Sequence, residues 1–76
     1  MQYSTIGQYI RKRRIQTGKG LNTFAFDCDV DPATLSNFEL GKSDIYFGNF
    51  IKIANGFDIT PSQLLSDFEN NIEKPQ

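Results

Sequence analysis

Apolar residues recur along most of the chain at intervals of three and four positions, the spacing that places side chains on one face of an α-helix. The segment 21–28 shows this spacing at Leu21, Phe24, Ala25 and Cys28. A later segment has an apolar stripe formed by Phe47, Phe50, Ile51, Ala54 and Phe57. No stretch alternates convincingly with the period of two that a half-buried strand shows. The pattern therefore predicts an all-α domain.

Capping residues divide the pattern into five helices. Thr5, with Gln8 three residues later, fits a capping box that starts a first helix ending near Thr17. The second helix is the segment 21–28. The segments "FGNFIKIANGF" and "TPSQLLSDF" form the fourth and fifth helices, and the fifth opens with a Thr cap followed by Pro.

The third helix begins at Pro32, because proline suits the first helical position and Asp31 before it can cap the free N–H groups. Gly41 ends this helix as its C′ residue. Leu35 and Phe38 would face inward. The positions left largely outward carry small or polar side chains, and they are Ala33, Thr34, Ser36 and Asn37.

Length and composition narrow the classes of function. The 76 residues, 38% of them hydrophobic, suit one small domain, expected over residues 1–69 and followed by a polar tail over 70–76. With no histidine and one cysteine, a single chain cannot assemble a zinc cluster, a disulfide framework or a Cys-His couple. We therefore expect no enzyme activity, no metal and no cofactor. Neither a membrane span nor a signal peptide is visible, so we expect a cytoplasmic protein.

The stretch "DCDVDPATLSNFE" admits another interpretation, a calcium-binding loop. Asp27, Asp29 and Asp31 alternate as the first ligands of an EF-hand do, and a glutamate follows. The sixth position of such a loop needs glycine, but here it holds Pro32, and Glu39 comes one residue too late to be the last ligand. These mismatches disfavour calcium, and we expect the aspartates to serve as turn and cap residues.

The charge balance gives an ambiguous signal about partners. The net charge of −1 and the pI near 5.1 are unlike the basic balance of most nucleic-acid-binding domains. The distribution is uneven, because all nine acids lie from residue 27 onward. Five of the eight cations precede residue 20, and they are Arg11, Lys12, Arg13, Arg14 and Lys19. Such a cluster is either a solvated helix face or a surface that attracts phosphates.

Three segments, "IGQYIRKRR", "FAFDCDVDPATLSNFELGK" and "KIANGFDITPSQLL", resemble the Cro/C1-type (XRE) helix-turn-helix domain of phage repressors and small bacterial regulators. The resemblance implies a compact, five-helix, lambda-repressor-like domain whose second and third helices form the helix-turn-helix. It also implies that Arg14 pairs with Glu39. The core of the motif would be formed by Ala25, Val30 and Leu35, to which the helical spacing adds Phe24 and Phe38.

The chain departs from the family pattern at several places. Lys19 and Leu21 stand where the family usually has Leu before helix two and Gln as its first residue. Arg13 occupies a position that is often apolar. Asp29 replaces the common glycine of the turn, and aspartate tolerates a positive φ better than most residues do. Because Leu21 stands where the family has its first glutamine of helix two, the usual contact between that glutamine and a phosphate would have to come from other residues.

The family's docking geometry implies that the N-terminal half of helix three, the recognition helix, enters the major groove of DNA. The residues facing base edges would be Pro32, Ala33, Ser36 and Asn37. Asn37 is the sharpest candidate, because a side-chain amide can bond N6 and N7 of adenine. Phosphate contacts would come from Asn22, Thr23, Thr34, Lys42, Ser43 and Lys19, with long-range attraction from the cations of helix one.

We expect a homodimer, because two recognition helices about 34 Å apart would match a palindromic operator. Such a protein would act as a repressor or an autoregulator. Related repressors often pair through helix five, which suggests a seam of Leu65, Phe68 and Ile72. Alternatively, Leu65 and Phe68 close the core of the monomer. A second class of function also stays open, an antitoxin-like or antirepressor-like module of the same fold that holds a protein partner with its acidic surface.

Overall fold

A computed structural model describes residues 5–71, which form five α-helices. The helices are α1 (Ile6–Gln16), α2 (Leu21–Cys28), α3 (Pro32–Glu39), α4 (Phe47–Gly56) and α5 (Pro61–Glu69). No strand occurs within this part of the chain, and the predicted all-α, five-helix fold is confirmed. Within residues 5–71, no helix has both the length and the apolar character needed to cross a membrane.

Side-chain caps start three of the helices at the residues that the sequence predicts. The Gln8 N–H donates to Oγ1 of Thr5 at 3.1 Å at the start of α1. The Ala33 N–H donates to the carboxylate of Asp31 at 2.9 Å at the start of α3. Thr60 caps α5 in the same way. Because the first N–H groups of a helix have no intrahelical acceptor, these side chains fix where each helix begins.

Left-handed residues end the second, third and fourth helices, at Asp29 (φ 60°), Gly41 (φ 74°) and Asp58 (φ 60°). After α3, the Gly41 N–H donates to the carbonyl of Phe38 at 3.1 Å, and the Lys42 N–H donates to the carbonyl of Asn37 at 2.9 Å. This pair of bonds is a Schellman motif. Gly41 therefore holds the C′ position predicted from the sequence.

The core lies where α2 and α3 pack on each other, with α1 against α3 and α4 between α2 and α5. The rings of Phe24 and Phe57 meet at a centroid distance of 4.8 Å across the α2–α4 contact. The residues that are wholly buried there are Ile10, Phe24, Ala25, Leu35, Ile53, Ala54 and Leu64. All five helices contribute to one cluster, which supports α3 from below.

The buried face of α4 differs from the stripe expected from the sequence. Ile53 is wholly buried, whereas Phe47 is 66% exposed and Ile51 is half-buried. Helical side chains lean toward the N-terminus, so a side chain at the first position of a helix projects beyond the elements packed further along. Phe47 occupies that first position of α4 and therefore leaves the core.

Two glycines allow close approach between helices. Gly7 brings α1 against α3, where an added Cβ would overlap the carbonyl of Phe38. Gly56 of α4 lies against the thiol of Cys28 in the same manner. Both positions need glycine for space and not for an unusual backbone angle.

Candidate nucleic-acid interface

The turn between α2 and α3 consists of three residues with separate structural roles. Asp29 takes the left-handed conformation, at φ 60° and ψ 45°. The Val30 N–H donates to the carbonyl of Ala25 at 2.9 Å, and its side chain is 6% exposed. Asp31 caps α3. These contacts set the angle between the two helices without the glycine that is common in such turns.

Below the turn, the side chains assigned to the core of the motif from the sequence are all buried. Their exposed fractions run from 0% to 6%, for Phe24, Ala25, Val30, Leu35 and Phe38. This layer leaves the opposite face of α3 for contact with a partner.

A buried ion pair joins α1 to the end of α3. The guanidinium of Arg14 donates from Nε to Oε2 of Glu39 at 2.8 Å and from Nη2 to Oε1 at 2.9 Å. Its third group, Nη1, donates to the carbonyl of Lys19 at 3.0 Å. The hydrogen bond with Glu39 raises the pKa of Arg14, so the arginine keeps its charge. Such a bidentate contact fixes the position of α3 along and around its own axis relative to α1.

Arg13, which stands where the family often has an apolar residue, links α1 to α5. Its Nη1 donates to the carboxylate of Asp67 at 2.9 Å and to the hydroxyl of Tyr9 at 3.2 Å. Its guanidinium lies 5.2 Å from the centre of the Phe57 ring, within the range of a cation–π contact. Arg13 and Arg14 therefore both stabilise contacts between helices. The exposed cations of α1 are Arg11 and Lys12.

On the outer face of α3, Pro32, Ala33 and Asn37 are exposed, while Thr34 and Ser36 are half-buried. Thr34 and Asn37 share a cleft of about 420 Å³ with residues of the α3–α4 loop and the first turn of α4. The other residues lining this cleft are Ser43, Asp44, Ile45, Tyr46 and Asn49. We call it the α3 cleft.

Two residues of the α3 cleft, Tyr46 and Asn49, are not apparent as site residues from the sequence. Tyr46 is 86% exposed and directly precedes α4, whose first turn carries Asn49. Both come beside Asn37 because the loop that follows α3 turns back along that helix. The sequence signals only a loop there, so its path had to come from the structure.

Pro32 lies away from this cleft. It lines a separate groove of about 670 Å³ between the end of α2 and the start of α3, together with Asn22 and Phe26. The residues predicted to contact bases thus do not share one pocket, although all of them belong to α3.

Four of the phosphate-contact candidates lie at two helix ends. Asn22 and Thr23 are exposed in the first turn of α2, where backbone N–H groups lack intrahelical acceptors and the helix dipole is positive. Lys42 and Ser43 are exposed directly after α3. Asn22 shares a groove with Pro32, and Ser43 shares the α3 cleft with Asn37, so each set adjoins α3.

Lys19 is engaged by a carboxylate. Its Nζ lies 2.7 Å from Oδ2 of Asp27, and this hydrogen bond raises the pKa of the lysine. A phosphate would have to compete with Asp27 for it. Asp29 has its own cation, since its carboxylate lies 3.5 Å from Nζ of Lys52. Asp29 in the turn and Asp31 at the cap thus have the roles expected from the sequence. The expectation for Asp27 is wrong, because Asp27 lies within α2 and pairs with Lys19.

The residues suggested for a dimer seam behave differently from one another. Leu65 is 42% exposed, whereas Phe68 is half-buried and its ring lies 5.9 Å from that of Tyr9. Ile72 lies outside the described residues. Of the two that are described, Leu65 is the more available for contact with another chain.

Comparison with known proteins agrees with this geometry. The model of a family described as a helix-turn-helix domain matches residues 7–67. A protein named control protein C.MunI, from a Mycoplasma species, is 36% identical over 64 residues, which make up 83% of this chain and 86% of the relative. These two matches confirm the resemblance that the sequence motifs carry.

Proposed function

This chain belongs to the family of helix-turn-helix domains, and we propose that it is a sequence-specific transcriptional regulator that inserts α3 into the major groove of DNA. It acts by binding and not by catalysis, as a repressor or an autoregulator. One observation carries the proposal. The Arg14–Glu39 pair and the Asp31 cap fix α3 at both ends, while Ala33 and Asn37 on its outer face are exposed.

Sequence preference would come from short side chains on α3. Asn37 is exposed and can bond adenine through its amide, a contact worth about 1–3 kcal/mol of discrimination. Ala33 can accept the methyl group of a thymine, and Ser36 can bond either a base or a phosphate. Pro32 would lie at the entry of the helix into the groove.

Phosphates would be held on both sides of α3. On one side, Asn22 and Thr23 would contact phosphate from the first turn of α2. On the other side, Lys42 and Ser43 would do so from the segment that follows α3. Thr34 adds a hydroxyl within the α3 cleft. These contacts position the protein, and they make its affinity fall as salt rises.

Carboxylates beside the motif limit the affinity of one copy. The side chain of Asp29 is 94% exposed, and Asp44 lines the α3 cleft. Both repel phosphate, so we propose that tight binding requires a homodimer on a palindromic operator. Two half-sites combine their affinities without any new contact within each half.

Selection of bound duplexes from a random DNA pool at moderate salt tests this proposal. We expect enrichment of an inverted repeat whose half-sites lie about one helical turn, or 34 Å, apart. A pool that stays random after repeated rounds would contradict a sequence-specific role.

An exposed aromatic side chain supports one alternative, a protein-binding module of the same fold. Phe26 is 85% exposed on α2, and the carboxylates of Asp27, Asp29 and Asp31 lie on the same short segment. An apolar group among acids suits a basic partner. Changing the three aspartates to asparagine preserves the turn and the cap, because asparagine tolerates both roles. The alternative predicts that a co-purifying basic protein is lost in this variant, and retention of that protein would count against it.

A further inference from the structure

We propose that Asp27 is a built-in competitor of DNA, because its carboxylate occupies the ammonium of Lys19 in the free protein and is displaced by a phosphate when α3 docks on its operator. We call these two side chains the Lys19–Asp27 pair. Such an exchange weakens binding to unrelated DNA more than binding to the operator. The inference rests on the proposed function, and it assigns Asp27 a part in the choice between the two kinds of DNA.

The Lys19–Asp27 pair is short and lies at the surface. Nζ of Lys19 donates to Oδ2 of Asp27 at 2.7 Å. The two side chains are 42% and 40% exposed, so water and ions reach both charges. Surface ion pairs of this kind contribute little to stability, because solvent screens them. A phosphate oxygen can therefore take the place of the carboxylate without unfolding a helix.

The backbone of Lys19 is held in place, which leaves the side chain as the part that moves. Its carbonyl accepts a hydrogen bond from Nη1 of Arg14 at 3.0 Å, and its N–H donates to Oγ1 of Thr17 at 3.3 Å. The same guanidinium of Arg14 binds Glu39 at the end of α3. Lys19 thus keeps its position relative to α3, and a change of partner needs only rotation about its side-chain bonds.

The two residues of the pair lie near opposite ends of α2. Lys19 comes two residues before Leu21, the first residue of the helix, and Asp27 is the seventh. A rise of about 1.5 Å per residue places Asp27 about 9 Å along the helix from its start. The contact therefore holds the ammonium alongside the helix, away from the first turn, where Asn22 and Thr23 are exposed. A phosphate bound at that turn would attract the ammonium back to it.

The exchange favours the operator, because breaking the pair needs a phosphate that stays close to Lys19. On an operator, base contacts by α3 fix the register of the protein, so phosphates stand at constant positions beside α2. On unrelated DNA, a protein slides and hops along the duplex, and its phosphate contacts change continually. Lys19 then stays with Asp27 and adds no phosphate contact.

A neighbouring aspartate provides a matched comparison. The carboxylate of Asp29 is 94% exposed and lies 3.5 Å from Nζ of Lys52 on α4. Lys52 also donates to the backbone carbonyl of Asp29 at 3.3 Å. Asp29→Asn therefore changes the net charge of the same segment by the same amount as Asp27→Asn does, while it leaves the Lys19–Asp27 pair intact.

The salt dependence of DNA binding by the full chain tests the proposal, measured on the selected operator duplex and on a duplex of unrelated sequence. Each phosphate that a protein neutralises steepens the plot of log K against log salt by about 0.9. Asp27→Asn frees Lys19, so we expect its slope on unrelated DNA to steepen by about that amount. This variant should then lose about 3.5 times more affinity than the wild type between about 50 and 200 mM salt.

The operator should respond in the opposite way to the two partners of the pair. Asp27→Asn should leave the slope on the operator unchanged, because Lys19 already contacts a phosphate there. Lys19→Ala should make that slope shallower by about 0.9 and leave the slope on unrelated DNA unchanged.

Two controls separate competition for Lys19 from simple repulsion between a carboxylate and phosphate. Asp29→Asn should leave the slope on unrelated DNA unchanged. The double variant Lys19→Ala/Asp27→Asn should have the slope of Lys19→Ala, since no ammonium is released. Circular dichroism and thermal unfolding of each variant establish that it folds.

Three results would overturn the inference. They are an Asp27→Asn variant with wild-type slopes on both duplexes, an Asp27→Asn effect that is the same with and without Lys19, and a Lys19→Ala variant with the wild-type slope on the operator. Selection that yields no preferred sequence would instead refute the proposed function. The slopes on unrelated DNA would then still decide whether Asp27 keeps Lys19 from phosphate.

Discussion

The guanidinium of Arg14 and the carboxylate of Glu39 lie side by side, joined by hydrogen bonds of 2.8 and 2.9 Å. Their side chains are only 9% and 3% exposed. Residues 25 positions apart in the chain thus fix the end of α3 against α1. The same pair makes the fold vulnerable, since either partner alone would be a charge without a counterion.

Glu39→Gln tests how strongly the fold depends on this pair. The change keeps the shape of the side chain but leaves the Arg14 charge buried and uncompensated, which typically costs about 3–5 kcal/mol of unfolding free energy. Urea denaturation of both proteins measures the loss. A variant as stable as the wild type would show that water or another group compensates Arg14.

The partly buried Arg13–Asp67 ion pair should make the stability of the fold depend on pH. Hydrogen bonds from Arg13 and then from Gln63 lower the pKa of Asp67 below its ordinary value of about 3.9. The unfolded chain therefore takes up this proton more readily, so the stabilisation is present above about pH 4 and is lost as pH falls through the lowered pKa.

The variant Asp67→Asn isolates this contribution. At pH 7 it should unfold at a lower urea concentration than the wild type does, because the ion pair is gone. The difference should shrink as the pH falls through the lowered pKa of Asp67, because the wild-type carboxyl is then also protonated. A difference that stays constant across this range would contradict the assignment.

Gly7 and Gly48 offer a matched pair, because each is the second residue of its helix. A Cβ at Gly7 would overlap backbone atoms of Phe38, whereas one at Gly48 would meet no atom within 4 Å. Gly7→Ala should cost about 1–3 kcal/mol through overpacking. Gly48→Ala should stabilise by up to about 1 kcal/mol, because alanine loses less backbone freedom on folding. Thermal midpoints that move in the same direction for both would refute this contrast.

Cys28 should be chemically inert in the folded protein. Its side chain is 5% exposed, and burial raises its pKa to about 11. At pH 8 only about one thiol in a thousand would be ionised, and the thiolate is the reactive form. A thiol-specific reagent should therefore react slowly with the native protein and rapidly in denaturant. Equal rates under the two conditions would mean that the α2–α4 contact opens readily.

Local signals in the sequence predict most of the fold. Asp31 with Pro32 marks the start of α3, and Gly41 marks its end, because caps act through neighbouring backbone atoms. The exposure of Phe47 is not predictable from periodicity, which gives the face of a helix but not where its packed neighbours stop. The stripe therefore included Phe47 and omitted Ile53.

The site was less predictable than the fold because its charges pair over long distances. Arg13 meets Asp67, a residue 54 positions away, and this contact removes a cation from the cluster at the N-terminal helix. Lys19 meets Asp27 across the start of α2. Tyr46 joins the α3 cleft only through the path of a loop. None of these relationships leaves a local pattern in the sequence.

The DNA preference of Asn37→Ala tests the central claim most directly. Selection from a random pool should yield the same inverted repeat as for the wild type, with one position of each half-site relaxed and a loss of about 1–3 kcal/mol for the original base. Asn55→Ala, which changes an exposed asparagine on α4, is the control and should leave every position unchanged. An Asn37→Ala variant with unaltered preference at every position would contradict recognition of DNA by this face of α3.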